Sequence, residues 1–542
     1  MKPYPLYPAK DCDNLIEYLD LLKQYSEKTA VVYYDFHAKE HSFTYKEMLD
    51  QIDCCRRNLL AAGAFGKHVA IVSENSYHWL VCFLAISAAG GTAICVDIEQ
   101  PDEVIRQMIE DVDSEYLFVS PSLAPICAPL VQKGLVQQLA IIGSDDDGQP
   151  EPDFINFLEN GRQQPDQTTP PIDPDQTAAI MFTSGTTSKA KAVMLTHRSI
   201  TINIIEARKM IDLYERIFSA LPFYHSYGLV CSALLAFYGG AVFILNGDMR
   251  MMARDLVAAS PLTMMAVPLM AEALYKSMWA AFANQGKDDK IRKLLNFCLW
   301  LRKVGIRLQP KALEKAKRAC FGDLKMLVVG GAHIGPEICA ELDAFSISVR
   351  QGYGITECSP LISVNRNEYY RFGTVGHVLP SYEIKLVDEE IWVRGPSVMK
   401  GYYKDPQSTE EVFSDGWFKT GDLGFLDKNG FLSICGRIKN LIVLKNGKKV
   451  APERIEKMIL DIPIVKEVMV YGASAGATGD DVKLAASIYI GSPEEQKLSH
   501  YEVLDMLHQE IDKINMGLPF YQQIQIISLR ENEFPKTASK KI

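Results

Sequence analysis

The chain has 542 residues, 48% of them hydrophobic and 23% charged, an ordinary globular composition long enough for two or more domains. Its formal net charge of −10 argues against a general nucleic-acid binder, which needs a basic footprint. The twelve cysteines are scattered, and no pair has the Cys-x-x-Cys spacing of a zinc or redox site, so they read as free buried thiols of a reducing compartment.

Met1 to Asp20 has no apolar core of signal-peptide type, and a soluble, cytoplasmic protein is expected. Residues 43–63 have helical periodicity and end at Gly63. His68 to Val72 is a short apolar run of the buried-strand kind. A mostly apolar helix over 77–89, a strand from Thr92 to Val96, a helix over 101–112 and a strand from Tyr116 to Val119 follow. Strands alternating with helices imply parallel sheet with crossover helices. Residues 144–153 and 160–176, rich in Asp, Gln and Pro, read as solvated connections.

The apolar stretch Gly228 to Leu245 is broken by Gly239 and Gly240, and reads as a buried helix, a turn and a strand. A membrane span would want about 20 uninterrupted apolar residues. Between 262 and 330 come an apolar helix (Pro268 to Phe282), a basic helical segment (Lys287 to Lys303) and a second basic helix (Pro310 to Ala319). The basic segment suits acidic membrane lipid, hence peripheral membrane contact, or the phosphates of a ligand; a solvated face is the plain alternative. Tyr382 to Val387, Glu390 to Arg394 and Gly430 to Cys435 read as short antiparallel strands. A last α+β block has strands at Val468 to Tyr471 and Leu484 to Ile490 and an amphipathic helix over 501–514. A boundary near Gly436-Arg437-Ile438-Lys439 divides the chain into 1–437 and 438–542. The fold class is α/β: a large N-terminal domain of mixed sheets with packed helices, plus a small mobile C-terminal α+β domain.

The most informative segment runs from Ile180 to Leu195, where two apolar runs flank Thr183-Ser184-Gly185-Thr186-Thr187-Ser188-Lys189-Ala190-Lys191-Ala192. Hydroxyls and backbone N–H groups on such a turn make an anion cradle, to which a lysine adds a point charge. A ligand-free hairpin loop is the plain alternative, and no Walker A ending is present. Further on, Gln351-Gly-Tyr-Gly-Ile-Thr-Glu357 sets glycines on both sides of Tyr353, whose ring face suits a purine. Glu357 is a hard oxygen ligand suited to Mg²⁺. Trp417-Phe-Lys-Thr-Gly-Asp422 offers a carboxylate, the natural double acceptor for a cis-diol.

Together these segments resemble, in order, the motifs of the adenylate-forming superfamily, and the resemblance covers about residues 20–542. The loop matches at Thr183, Ser184, Gly185, Thr186, Thr187 and Lys191 and departs at Ser188, Ala190 and Ala192, where the family has glycine, proline and glycine. By the resemblance these loop residues hold pyrophosphate and Tyr353, with Gly354, stacks on adenine. Thr356 contacts the α-phosphate, and Glu357 holds magnesium. Gly330, Gly331 and Ala332 form the turn beside adenine and acyl group, Asp422 binds ribose, and Arg437 contacts the nucleotide. Lys439 stands at the hinge position, and Gly447 lines the CoA tunnel. The ending Pro535-Lys-Thr-Ala-Ser-Lys-Lys541-Ile resembles the motif of the catalytic lysine, here Lys541, with Lys540 in place of glycine.

In Leu221-Pro-Phe-Tyr-His-Ser-Tyr-Gly-Leu229, His225, Tyr227 and Gly228 stand where amino-acid activators usually carry an aspartate. This resembles fatty and aryl acid activators, and the helices over 262–330 resemble an insertion of long-chain acyl-CoA synthetases. The resemblance therefore implies an ATP- and Mg²⁺-dependent ligase that converts a carboxylic acid, a fatty acid by preference, to acyl-AMP and then to acyl-CoA. Transfer to the thiol of an acyl carrier protein, and a non-catalytic nucleotide or lipid binder, are the alternatives.

Overall fold

A computed structural model describes residues 5–144, 148–183, 190–444, 448–475, 481–491 and 500–535. The chain forms two compact units, residues 1–383 with 394–418, and residues 384–393 with 419–542. The second unit thus takes in strands on the N-terminal side of the 437/438 junction.

Continuous apolar runs in the sequence become the interior strands of the first unit. A seven-stranded sheet is ordered Gly401–Tyr402, Lys191–Thr196, Thr177–Thr183, Thr92–Cys95, His68–Val72, Tyr116–Val119, Gln137–Ile141. Its Thr92, His68, Tyr116 and Gln137 strands are mutually parallel, as is Thr177–Thr183 to Thr92–Cys95; the last two strands toward Tyr402 run antiparallel. A nine-stranded sheet has six parallel strands at its centre, ordered Ser348–Gly354, Met326–Val329, Thr263–Ala266, Arg216–Ser219, Val242–Leu245, Thr29–Tyr34. Antiparallel strands flank them: Leu361–Val364 and His377–Val378 on one side, Glu40–Thr44 on the other. The helix Tyr77–Ala88 is buried along its whole length, as its mostly apolar sequence predicts, and its two polar side chains, His78 and Ser87, bond the carbonyls of Gly143 and Phe83.

The expected helices over 43–63, 77–89 and 101–112 appear as Tyr45–Ala61, Tyr77–Ala88 and Asp102–Asp111. The first carries a capping box, in which Thr44 and Glu47 each satisfy the other's backbone N–H. Gly228 to Leu245 is helix, turn and strand as read, but the helix opens with a π-helical stretch, Tyr227–Leu234. The solvated connections expected over 144–153 and 160–176 need correction: Pro152–Gln163 is a helix. Phe154 and Phe157 anchor it, and at Gly161 the backbone comes so close that an added Cβ would lie 1.9 Å from the Cys54 carbonyl oxygen. All cysteines except Cys320 and Cys435 are buried. Among the described residues no helix is long and apolar enough to cross a membrane.

The second unit contains the hairpin Glu383–Val387 and Glu390–Arg394, which continues into Trp417–Leu426, itself paired with Leu432–Arg437. Glu467–Ala475, Asp481–Tyr489 and Ile526–Arg530 form a three-stranded sheet. Helices Pro452–Leu460 and His500–Met516 close a core of Ile455, Ile459, Val468, Leu484, Leu507 and Ile511 against it.

Candidate active site

In an open α/β sheet the carboxyl ends of the strands face the crevice where ligands bind. In the first unit, three segments that leave such ends carry expected site residues. Arg216–Ser219 leads into Leu221 to Leu229, Met326–Val329 into Gly330 to Ala332, and Ser348–Gly354 into the turn Thr356–Cys358.

Tyr227 joins the first two segments. Its hydroxyl donates to the Val328 carbonyl at 2.9 Å and also approaches that of Ala266 at 3.3 Å. Its ring lies under Gly330, where an added Cβ would be 3.2 Å from Cζ. Burial pushes the Tyr227 phenol well above its ordinary range, so it stays a neutral donor. Next to it Gly228 has no room for a side chain, because a Cβ would lie 2.1 Å from the Pro222 carbonyl oxygen. His225 is half-buried, its ring centroid 4.8 Å from that of Tyr224. Gly331 has φ +86, a left-handed conformation in which glycine carries no steric penalty.

The third segment meets the first where the hydroxyls of Ser226 and Thr356 lie 3.4 Å apart. Tyr353 is buried on its strand, and Gly354 allows that strand to pass Pro360, whose carbonyl oxygen is 2.2 Å from where a Cβ would stand. Glu357 is half-buried, and its carboxylate accepts a hydrogen bond of 3.0 Å from the Tyr402 hydroxyl. Burial, with Glu357 alongside, holds the Tyr402 phenol protonated and donating. The Tyr402 ring also lies beneath Lys191, whose Nζ is 4.5 Å from the ring centroid. Lys191, Tyr402 and Glu357 thus form one connected cation–aromatic–carboxylate group. Lys191 itself pairs with Thr183, the pair of this hairpin nearest its connecting loop.

Residues the sequence reading missed hold this group in place. Gly401–Tyr402 is an added edge strand, with Tyr402 opposite Val193. Fully buried Asn203 donates to the carbonyls of Cys358 (3.1 Å) and Leu361 (2.9 Å) and accepts from the Leu361 N–H at 3.1 Å. The Tyr382 hydroxyl donates to the same Cys358 carbonyl at 2.9 Å. Asn203 had one legible signal: an amide at a core-facing phase of the helix His197–Met210, between Ile200 and Ala207.

In the second unit, Asp422 and Arg437 lie opposite each other on paired strands, and Arg437 Nε donates to Asp422 Oδ1 at 2.6 Å. Asp422 is only 3% exposed. The strand just before it is fixed by the Gly421 N–H to Glu390 (3.0 Å) and by the Thr420 hydroxyl to the Ile391 carbonyl (2.7 Å). Lys439 lies exposed on the short helical turn Ile438–Asn440. Ser184, Gly185, Thr186, Thr187, Gly447 and Lys541 lie outside the described residues, as do the departures Ser188 and Lys540.

Two family models match the chain: AMP-binding enzyme over residues 20–403, and AMP-binding enzyme C-terminal domain over 439–542. The long-chain-fatty-acid–CoA ligase FadD15 of Mycobacterium bovis is 29% identical over 459 residues, 79% of this chain and 75% of that protein. A long-chain-fatty-acid–CoA ligase of Escherichia coli O157:H7 is 27% identical, covering 77% of this chain and 76% of its own. In fold, the chain is similar to the anthranilate CoA ligase AuaEII solved with anthranoyl-AMP, with a TM-score of 0.77 and 19% identity, over 99% of this chain and 96% of that one. The chain therefore belongs to the AMP-binding enzyme family, and so to the adenylate-forming superfamily, as an enzyme of the acyl-CoA synthetase kind.

Proposed function

We propose that the chain is an AMP-forming fatty acid–CoA ligase. The linked group Lys191–Tyr402–Glu357 at the strand ends supports this reading most directly: it sets a cation and an oriented carboxylate where a magnesium–triphosphate would need both. Among the described residues no three His, Cys, Asp or Glu side chains converge as a metal cage. The residues fit a magnesium ion that Glu357 would hold together with the phosphates of ATP, an ion that usually keeps several waters besides one or two carboxylates. Bound there, the ion would offset charge on the polyphosphate.

In the first half-reaction a carboxylate oxygen of the acid attacks the α-phosphorus of ATP and pyrophosphate leaves. Two anions must meet, so the chain's contribution is positive charge and positioning. Lys191 and the loop from Thr183 to Thr187 take the pyrophosphate end, Thr356 takes the α-phosphate, and Lys541 stabilises the charge that develops in the transition state. Tyr353 and Gly354 take the adenine, with Gly331 and Ala332 contributing the turn on the nucleotide side. Asp422 takes the ribose hydroxyls and Arg437 the nucleotide. In the second half-reaction the thiolate of CoA attacks the acyl carbonyl and AMP leaves. The small domain, from residue 438 onward, turns about Lys439 and brings Gly447 to the thiol arm. His225, Tyr227, Gly228 and Gly330 border the acyl group. The similarity to long-chain-fatty-acid–CoA ligases, with the apolar helix Pro268–Asn284, supports a fatty acid.

The deciding experiment supplies ATP, Mg²⁺ and a pool of fatty, aryl and amino acids, with and without CoA, and reads products by mass spectrometry. A fatty acyl-CoA formed only when CoA is present is the expected result. Acyl-AMP that accumulates and moves only to a carrier-protein thiol would replace CoA as acceptor, and an aryl-CoA would replace the acid. Lys541→Ala should cripple adenylate formation more than thiol transfer from preformed acyl-AMP. Glu357→Ala should abolish most magnesium-dependent pyrophosphate release.

A further inference from the structure

The helix Asp288–Lys303 buries one side and turns the other to solvent. Leu295 and Cys298 are fully buried, and Arg302 pairs with Asp343. On the outer side Lys290, Lys293, Phe297, Trp300 and Val304 recur at helical spacing, so they form one stripe. Phe297 is 51% exposed, Trp300 58%, Val304 60% and Ile306 53%, and the first two rings stack with centroids 6.2 Å apart.

The ridge continues past the helix in a fixed shape. Gly305, at φ +84, donates its N–H to the Arg302 carbonyl, and the Ile306 N–H reaches that of Leu301, both at 3.0 Å. This is a Schellman closure, which holds Ile306 at the helix end beside Val304. On the helix itself and just before it, Lys287, Lys290, Arg292 and Lys293 are all exposed. The wider segment 287–318 is basic in sequence, with eleven Lys and Arg against three Asp and Glu in a chain whose net charge is −10.

We propose that this face docks on an anionic lipid bilayer. Aromatic and aliphatic side chains on a convex helical stripe enter the boundary between headgroups and acyl chains, and lysines beside them meet lipid phosphates. A second copy of the chain fits poorly, because a two-fold contact would press two strongly basic segments together. The proposal rests on the surface alone and holds whichever acid the enzyme activates.

The test is co-sedimentation of the purified chain with vesicles of phosphatidylcholine alone or mixed with phosphatidylglycerol, at low and high salt. Two double variants, Phe297→Ser with Trp300→Ser and Lys290→Glu with Lys293→Glu, are run beside it. Their thermal unfolding midpoints should match the parent, since the altered side chains are exposed. The parent should bind the anionic vesicles, release in salt and ignore phosphatidylcholine, and each double variant should bind roughly tenfold more weakly. Equal binding to both vesicles, no binding, or variants that bind like the parent would overturn the proposal. So would self-association of the parent that the aromatic variant abolishes, which would give the face to a second copy.

Discussion

Tyr402 donates its hydroxyl hydrogen bond to Glu357 across 3.0 Å while its ring supports Lys191. One side chain thus orients the carboxylate from its hydroxyl and the ammonium from the face of its ring. A hydrogen bond to a charged acceptor contributes about 1.5–3 kcal/mol, so Tyr402→Phe should slow pyrophosphate release roughly tenfold or more. The magnesium concentration for half-activity should rise with it. Tyr402→Ala, which also removes the ring from Lys191, should lose more. A Phe variant as active as the parent at every magnesium concentration would free Glu357 from this dependence.

Asn203 supports the same turn from below. Replacing it with Leu leaves the Cys358 and Leu361 backbone groups without this partner in a dry interior. The expected cost is about 3 kcal/mol of stability in urea unfolding. Activity should fall more steeply than the folded fraction, because the turn carries Thr356 and Glu357.

Gly228→Ala places a methyl carbon against the Pro222 carbonyl, a backbone atom that cannot swing aside. Destabilisation of several kcal/mol is expected, or loss of soluble protein. The control is Gly239→Ala, where an added Cβ would have 3.6 Å of clearance and φ is ordinary. That variant should fold and react normally.

The two units should respond to pH in opposite senses. Burial pushes His78 and His197, both in the first unit, down to about 4. Between the usual histidine range and that value the unfolded chain binds protons that the folded chain refuses, so this unit loses stability as pH falls. In the second unit burial pushes Glu456 up to about 7, against a hydrogen bond from the Val470 N–H. Here the folded chain keeps a proton that the unfolded chain releases, so stability falls as pH rises from the usual carboxylate range through 7. Hydrogen exchange, corrected for intrinsic rates, should show Tyr77–Ala88 and His197–Met210 opening toward pH 5 and Pro452–Leu460 opening toward pH 8. Glu456→Gln should abolish the second trend and leave the first.

The parallel core was legible because strands buried on both faces are unbroken apolar runs, as in His68–Val72 and Tyr116–Val119. The helix Pro152–Gln163 was not legible, because its polar sequence shows only two aromatic anchors and one close-packed glycine. The same contrast holds at the site. Tyr353, Thr356 and Glu357 stand within a few residues of one another and announce themselves as a string. Ser226, Asn203 and Tyr402 reach the string from distant segments, and only tertiary pairing gives them a role there. A tyrosine after Lys400-Gly401 has no local pattern to distinguish it from any other buried ring.

That distance also sets an order of events in folding. Gly401–Tyr402 joins the Lys191–Thr196 strand from about 200 residues away, the slow kind of pairing. The neighbouring strands between His68 and Thr196 have all left the ribosome long before it, so the sheet can form without its last edge. During refolding, sheet structure should return before nucleotide chemistry does, because the residue that completes the Glu357–Lys191 group is brought in by the longest-range pairing of that sheet among the described residues.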